Sequence, residues 1–127
     1  MSCRICACAA ITEAGWLLVD LYEGNLIYDF ESHQLWCFDW DLCVKAESYS
    51  LSMDRNWGSS RLMAPEEFVR GATMDQRTNV FNLGRIAILA LGDSDPLIQA
   101  TDPNPENRFP TVRAFVDAFA ATRSRTA

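Results

Sequence analysis

The stretch from Thr78 to Leu91 places the strongest constraint on the fold of this 127-residue chain. Apolar residues occupy most positions from Val80 onward, so an α-helix formed here has little polar surface. A helix that is apolar on nearly all sides belongs in the middle of a hydrophobic core, with other elements packed around it. The sequence therefore predicts a buried central helix over 78–91, with Thr78 or Asn79 as its N-cap.

Shorter helices are predicted near both ends of the chain. Residues 5–15 suit the end of a helix, because small and apolar residues are followed by Gly15, which fits a helix stop. Residues 111–121 suit a last helix that Thr111 caps. One apolar stripe of this last helix is expected to pack into the core; it consists of Val112, Phe115, Val116 and Phe119.

Two strand-like apolar runs predict one small β-hairpin. The runs cover residues 26–28 and 35–38, and the polar run from Asp29 to Gln34 is a plausible connection between them. A hairpin over Leu26 to Phe38 beside three helices makes the expected fold mainly α, without a large sheet.

Composition narrows the class of protein to a single globular domain. Hydrophobic residues make up 49% of the chain, which argues against disorder. The net charge of −6 and the lack of a basic stripe argue against a nucleic-acid partner. No apolar run is long enough to span a bilayer, and the N-terminal residues have no clear signal-peptide pattern, so we expect a cytoplasmic protein without a membrane partner.

The five cysteines are expected to be free thiols. They stand at positions 3, 6, 8, 37 and 43, an odd number without a second C-x-x-C. A zinc site at Cys3, Cys6 and Cys8 lacks a fourth ligand, since the one histidine, His33, lies in a predicted turn. We expect most of these cysteines to be packed as small hydrophobic side chains, in a protein of a reducing compartment.

Two carboxylates and one amide have the spacing of a phosphoryl-transfer site. Asp20 precedes Asn25 by five residues, and Asp39 follows Asn25 by fourteen. Phosphoryl transfer uses one carboxylate to accept the proton of the substrate hydroxyl, and amide and carboxylate oxygens to hold magnesium on the phosphates. The predicted hairpin would bring Asp39 back beside Asn25. We expect the three side chains to share one cleft, within about 10 Å of one another.

These residues resemble the catalytic loop and magnesium-binding motif of the protein kinase superfamily, and three further motifs follow in the family's order. Gly58 to Glu66 is similar to the end of an activation segment, with Ala64-Pro65-Glu66 as its A-P-E triplet. Asn79 to Gly84 is similar to the start of the buried helix that follows it. Pro105 to Arg108 is similar to the late P-x-x-R. The resemblance covers roughly residues 9 to 121 and implies a kinase-like C-terminal lobe.

The resemblance implies a role for six residues. Asp20 would be the catalytic base, and Asn25 and Asp39 would hold Mg²⁺ and thereby ATP. Glu66 would form a buried ion pair with Arg108, and Asn79 would accept a backbone N–H from the catalytic loop. The implied divisions of the partial domain 1–127 are the preceding helix (5–15), the catalytic and metal-binding loops (19–41), the activation segment (42–66), the central helix (78–91) and the last helix (111–121).

Within the activation segment, residues 42–60 are polar and serine-rich, which predicts a mobile loop. Four of its residues could be phosphorylated: Ser48, Tyr49, Ser50 and Ser52. Ser59 and Ser60 stand where kinases place the loop that receives a peptide substrate. Between the central helix and Ala100 the resemblance implies that a further kinase helix is lost or shortened.

The chain departs from the kinase pattern in several places. It has no Gly-rich loop, no strand Lys and no partner Glu upstream of residue 20, the parts that an N-terminal lobe supplies. Tyr22 stands where serine/threonine kinases have a Lys, and Val19 where many have an Arg. The usual D-F-G triplet is replaced by Asp39-Trp40-Asp41, which loses the glycine and adds a carboxylate.

Three functions stay open at this stage. The first is a serine/threonine protein kinase-like phosphotransferase that uses ATP and Mg²⁺ on a protein substrate. The second is a non-catalytic lobe, a truncated remnant or half of a split kinase, that binds a missing N-terminal lobe or associates with itself. The third is a small-molecule phosphotransferase of the aminoglycoside type, which Val19, Tyr22 and Asp39-Trp40 favour and the A-P-E segment opposes.

Overall fold

The computed structural model of the protein describes residues 5–19, 26–29, 34–37, 43–56 and 60–125. Asp20, Asn25 and Asp39 lie outside these ranges, and their expected convergence stays a prediction. The described elements are, in chain order, α1 (Ile5–Glu13), β1 (Trp16–Leu18), β2 (Leu26–Asp29), β3 (Gln34–Cys37), β4 (Cys43–Lys45), β5 (Ser48–Ser50), a 3-10 helix (Pro65–Phe68), β6 (Thr73–Asp75), α2 (Gln76–Leu91), α3 (Asp95–Ala100), a second 3-10 helix (Pro105–Asn107) and α4 (Val112–Arg125).

Helix α2 is the predicted central helix, and it begins two residues before the predicted start. The predicted caps were wrong: Asp75 is the N-cap, and its Oδ1 accepts a hydrogen bond of 2.9 Å from the backbone N of Arg77. Thr78 and Asn79 lie inside the first turns and direct their side chains to other segments. The helix ends at Gly92, whose φ of 83° lies in the left-handed region that favours glycine.

The core is formed where α2 meets α3, α4 and β1, with α1 packed on α4 and β1. Buried side chains from all of these elements form one cluster, with Leu83 and Val80 of α2 fully covered. The cluster comprises Cys8, Ala9, Leu18, Leu62, Val80, Leu83, Ile86, Ala87, Leu97, Ala100, Val112, Phe115, Val116 and Phe119. In the described part of the chain, none of the helices has both the length and the hydropathy that crossing a bilayer requires.

The two outer helices agree with the sequence pattern. Helix α1 ends at Glu13, just before Gly15, which has a φ of 98°. Thr111 caps α4 as predicted, since its Oγ1 accepts a hydrogen bond of 3.1 Å from the backbone N of Ala114. All four residues of the predicted apolar stripe on α4 are buried in the core.

The predicted hairpin is present as the antiparallel pair β2–β3. Leu26 pairs with Cys37, and Asp29 pairs with Gln34. Two further antiparallel pairs, β1–β4 and β5–β6, were missed, and the expectation of a loop throughout 42–60 was wrong for β4 and β5. Strands β4 and β5 are only three residues long, and each pairs with a strand more than twenty residues away in the sequence, so no local pattern predicts them. The described fold is thus mainly helical with three small two-stranded ladders.

Helix α3 occupies the stretch where the sequence predicted a lost or shortened helix, and it has only six residues. It packs against α2 at a point where Gly84 has no side chain. A Cβ on Gly84 would lie 2.8 Å from Cβ of Ala100 and 3.0 Å from Cγ2 of Thr101. The close approach of the two helices therefore depends on the glycine.

Replacing Gly84 with alanine is expected to destabilise the protein. Overpacking costs about 1–3 kcal/mol, and the higher helix propensity of alanine offsets at most ~1 kcal/mol of this cost. Urea unfolding of Gly84→Ala, Ala100→Gly and the double variant measures this. Because Ala100→Gly removes the Cβ that the alanine at position 84 would meet, the double variant should lose less stability than the two single variants lose in sum. Losses that simply add would contradict the close contact between Gly84 and Ala100.

Candidate functional site

Glu66 and Arg108 form a buried ion pair, as the sequence predicted. Nη1 of Arg108 lies 2.7 Å from Oε2 of Glu66, and Nη2 lies 3.0 Å from Oε1, so the pair is bidentate. The Arg108 side chain is fully covered, and the Glu66 side chain is 11% exposed. The bond joins the Ala64-Pro65-Glu66 triplet to the end of the Pro105–Asn107 3-10 helix, 42 residues further along the chain.

The Arg108 guanidinium has a partner for each of its five N–H groups. Besides the two bonds to Glu66, Nε donates to the carbonyl of Asp102 at 2.7 Å. Nη1 donates to the carbonyl of Arg77 at 3.1 Å, and Nη2 to that of Pro103 at 3.3 Å. Its planar group also lies over the ring of Phe81, 4.8 Å from the centroid. A buried charge needs such complete hydrogen bonding to offset its desolvation.

Asn79 links the start of α2 to Leu18, the last residue of β1. Leu18 precedes Asp20 by two residues in the sequence. Its Oδ1 accepts a hydrogen bond of 2.9 Å from the backbone N of Leu18, and its Nδ2 donates to the carbonyl of Leu18 at 2.8 Å. Asn79 is 2% exposed, so both bonds are shielded from water. The sequence predicted that Asn79 accepts a backbone N–H of the catalytic loop; in the structure the donor is Leu18 of β1, one residue before the predicted loop region 19–41.

A second buried carboxylate, Glu67, holds together three segments that the sequence did not connect. Its Oε2 accepts hydrogen bonds from the backbone N of Ala64 at 2.7 Å and from Nδ2 of Asn82 at 2.9 Å. Its Oε1 accepts from Nδ2 of Asn56 at 3.1 Å, which also lies 2.9 Å from the hydroxyl of Tyr49. Glu67 thus joins the 49–56 segment, the triplet and α2.

Glu67 has no cation among these direct partners, in contrast to its neighbour Glu66. It is 4% exposed, and burial raises the pKa of its carboxyl above the usual value. The hydrogen bonds from Asn82, Ala64 and Asn56 act in the opposite direction, because they stabilise the charged form. Burial outweighs them, so ionised Glu67 is less stable in the folded protein than in water.

Glu67, Asn56 and Asn82 were missed by sequence reasoning. Asn82 carried a usable signal, because a polar residue in a helix that is apolar nearly all round needs a buried partner. It also donates to the carbonyl of Leu62 at 2.7 Å, which holds the chain before the triplet against α2. Glu67 and Asn56 had no such signal, since acidic and amide residues in a polar segment are normally solvated.

The three structural residues that the sequence predicted, Glu66, Asn79 and Arg108, belong to the described part of the chain. The three predicted catalytic and metal-binding residues, Asp20, Asn25 and Asp39, lie outside it. Asn79 lies in the first turn of α2, and Glu66 and Arg108 contact that turn through the Thr78 hydroxyl and the Arg77 carbonyl. Among the residues that the structure describes, no cluster of three or more His, Cys, Asp or Glu side chains could hold a metal ion. Cys8 is buried, and Cys43 is a half-buried free thiol whose pKa is raised by burial.

The sequence matches no known protein-family model, and a comparison with curated proteins finds no match either. The case for a function therefore depends on the motifs and on the contacts described above.

Loss of the Arg108 guanidinium is expected to destabilise the protein by about 3–5 kcal/mol, because Arg108→Met leaves Glu66 as an unpaired buried charge. The double variant Glu66→Met/Arg108→Met removes that charge and should recover part of the loss. Urea unfolding measures both. Arg113→Met is the matched control, since it breaks an exposed pair with Glu13 and should cost less than about 1 kcal/mol. A loss no larger than the control's would contradict the structural role of the pair.

Glu67→Gln is expected to change how stability depends on pH. The folded pKa of Glu67 is raised above its ordinary value of 4.5, so the folded protein binds the proton more tightly than the unfolded chain. Its contribution to stability is therefore fully present below pH 4.5 and is lost as pH rises through the folded pKa. Glutamine cannot ionise, so the stability of Glu67→Gln relative to the wild type should rise over that window and then level off.

Chemical unfolding at a series of pH values tests this. Tyr49→Phe is the control, because it removes the hydroxyl bonded to Asn56 but keeps the carboxylate. The loss of this hydrogen bond should lower the free energy of unfolding by about 1 kcal/mol, and the loss should be similar at each pH below 8. A relative stability of Glu67→Gln that stays flat, or falls as pH rises, would show that burial does not disfavour ionised Glu67.

Proposed function

We propose that this chain is the C-terminal lobe of a protein kinase-like phosphotransferase, which transfers phosphate from ATP to a serine or threonine hydroxyl of a protein. One observation carries the proposal: the buried, bidentate pair between Glu66 of the A-P-E triplet and Arg108 of the P-x-x-R sequence. Two sequence motifs 42 residues apart, both chosen for their resemblance to kinases, supply the two halves of one interaction. An accidental likeness would not require their side chains to meet.

Two further contacts support the proposal. Asn79 binds both backbone groups of Leu18, which ties the residues before Asp20 to the central helix. The β2–β3 register pairs Leu26, the residue after Asn25, with Cys37, two residues before Asp39. Both contacts lie within two residues, in sequence, of the residues to which we assign the chemistry.

The proposed reacting groups have the chemistry that the reaction needs. Asp20 accepts the proton of the attacking hydroxyl. Asn25 and Asp39 supply amide and carboxylate oxygens, the hard ligands that Mg²⁺ prefers, so the donor set fits this ion. Bound Mg²⁺ would neutralise charge on the phosphates of ATP. The work of the lobe is positioning, and its rigid link to α2 through Asn79 serves that purpose.

A non-catalytic lobe that binds a partner is the second candidate, and the sequence of the loops favours it. Tyr22 removes a cation that would lie near the transferred phosphoryl group, and Asp41 adds a negative charge close to Asp39 in sequence. In this form the chain pairs with a separate N-terminal kinase lobe or with a second copy. The small-molecule phosphotransferase is less favoured, because the Ala64-Pro65-Glu66 triplet and its partner Arg108 are features of the protein kinase pattern.

The chain alone is expected to transfer phosphate at a rate near background. Its sequence supplies a base and metal ligands, but no Gly-rich cover and no strand Lys. Each missing charge-stabilising contact commonly lowers a rate by about a hundredfold or more. The assay uses purified chain, labelled ATP, Mg²⁺ and a generic protein acceptor, with Asp39→Ala as the matched variant.

Robust transfer that disappears in Asp39→Ala would contradict the expected low activity and establish the chain as an enzyme. Robust transfer that survives both Asp39→Ala and Asp20→Asn would instead show that the assigned residues are wrong.

A further inference from the structure

A small cavity lies where the end of α2, the start of α3 and the second half of α4 meet. It has a volume of about 140 Å³ and is partly open to solvent. Each helix contributes one apolar side chain to its lining: Leu91 of α2, Leu97 of α3 and Phe119 of α4. Leu97 and Phe119 also belong to the hydrophobic core. The cavity therefore extends the core to the surface of the protein.

The polar groups of the cavity stand on the short connection between α2 and α3 and on α4. They belong to Asp93, Ser94 and Thr122. Asp93 is exposed, and among the residues that the structure describes no basic side chain forms an ion pair with it. Ser94 is the N-cap of α3, but its hydroxyl makes no capping hydrogen bond. A carboxylate and a hydroxyl beside the apolar lining can therefore bind a polar group of a ligand.

The size of the cavity suits a single ring. A cavity of about 150 Å³ that is lined by Leu, Ile and Phe side chains binds benzene. The lining by Leu91, Leu97 and Phe119 has the same aliphatic and aromatic character. Drug-sized ligands need roughly 300–1,000 Å³, so a nucleotide is too large for this cavity.

The charge of the surrounding chain favours a cation. Between Arg85 and Arg108 the sequence has four acidic residues and no basic one. On α4, Arg113 pairs with Glu13 at 2.7 Å. Arg123 and Arg125 follow at the end of α4, and for this reason the test below includes an anion of the same shape.

We propose that this cavity binds a small organic cation, in which one ring carries a protonated amine. The ring fills the space between Leu91, Leu97 and Phe119. The ammonium group donates to the Asp93 carboxylate, with the Ser94 hydroxyl as a second acceptor. Burial of the apolar ring supplies most of the affinity, and the charge-assisted hydrogen bond selects an amine over an alcohol or an acid of similar shape.

The cavity is separate from the proposed phosphotransfer site. Asn79, which binds the backbone before Asp20, and Gly92 at the cavity are thirteen residues apart along α2 and its C-cap. At 1.5 Å per residue this corresponds to about 20 Å along the helix axis. The cavity is present whether or not the chain transfers phosphate, so the inference does not depend on the proposed function.

The test is an NMR titration of the ¹⁵N-labelled chain with benzylamine, which is protonated at neutral pH. The amide signals of residues 91–97 and 119–122 should shift first, with a Kd on the order of 1 mM, because a ligand of so few atoms gains little binding energy. Benzyl alcohol should bind roughly two- to fivefold more weakly, since an exposed charge contact contributes about that factor. Benzoate, and methylammonium without a ring, should cause no shifts at these residues.

Two kinds of variant separate the ring from the charge. Asp93→Asn should lower the affinity for benzylamine to that for benzyl alcohol and leave benzyl alcohol unaffected. Asp117→Asn is the matched control, because it removes an exposed carboxylate of α4 that does not line the cavity, and it should change neither affinity. Ser94→Leu fills the cavity without the loss of a capping bond and should lower both affinities at least about tenfold. Thr122→Phe serves as a second filling variant if Ser94→Leu does not fold.

Any of four results would overturn the proposal. The first is the absence of shifts at the cavity up to the solubility limit of benzylamine. The second is benzoate binding as tightly as benzylamine. The third is methylammonium causing the same shifts, which would show attraction to the acidic surface alone. The fourth is benzylamine binding that a folded cavity-filling variant retains.

Discussion

The Arg108 guanidinium is the constraint on which much of the described structure depends. A positive charge without exposed surface is stable only if every donor is satisfied, and those partners come from three different segments. Glu66 supplies the countercharge, Arg77 supplies a carbonyl from α2, and the turn before Arg108 supplies two more. Each segment has to be in place for the charge to be buried. The pair thereby acts less as a source of net stability than as a requirement for one arrangement.

Helix α2 is the element that these contacts share. Its apolar residues form the middle of the core, while three of its polar residues hold two other segments, β1 and residues 62–67. Asn79 holds β1, Asn82 holds the chain at Leu62 and the Glu67 carboxylate, and Thr78 donates to Glu66 at 2.9 Å. A rigid buried helix with amide and hydroxyl groups at set positions can fix loops to a precision that loops alone do not reach. Accurate positioning is what phosphoryl transfer requires of a protein.

The sequence predicted the elements whose signal is local. The apolar run of α2, the stripe of α4 with its Thr111 cap, and the β2–β3 hairpin all follow from spacing alone. The ion pair of Glu66 and Arg108 was predictable only through the resemblance to kinases, since nothing in their local sequence connects them. The β1–β4 and β5–β6 ladders and the Glu67 network join segments that are distant in sequence, and no periodicity reports such contacts. The cap of α2 was misassigned because Thr78 and Asn79, both good capping residues, are used for tertiary hydrogen bonds instead.

The central claim is that Asp20, Asn25 and Asp39 form a metal-binding phosphotransfer site on this scaffold, and paramagnetic NMR tests it most directly. Mn²⁺ accepts the same oxygen ligands as Mg²⁺ and broadens nearby amide signals even when it binds weakly. In a ¹⁵N-labelled chain, low Mn²⁺ should first broaden the signals around these three residues, and Asp39→Ala should abolish the effect. Broadening spread over the acidic surface, and unchanged in Asp39→Ala, would contradict the account.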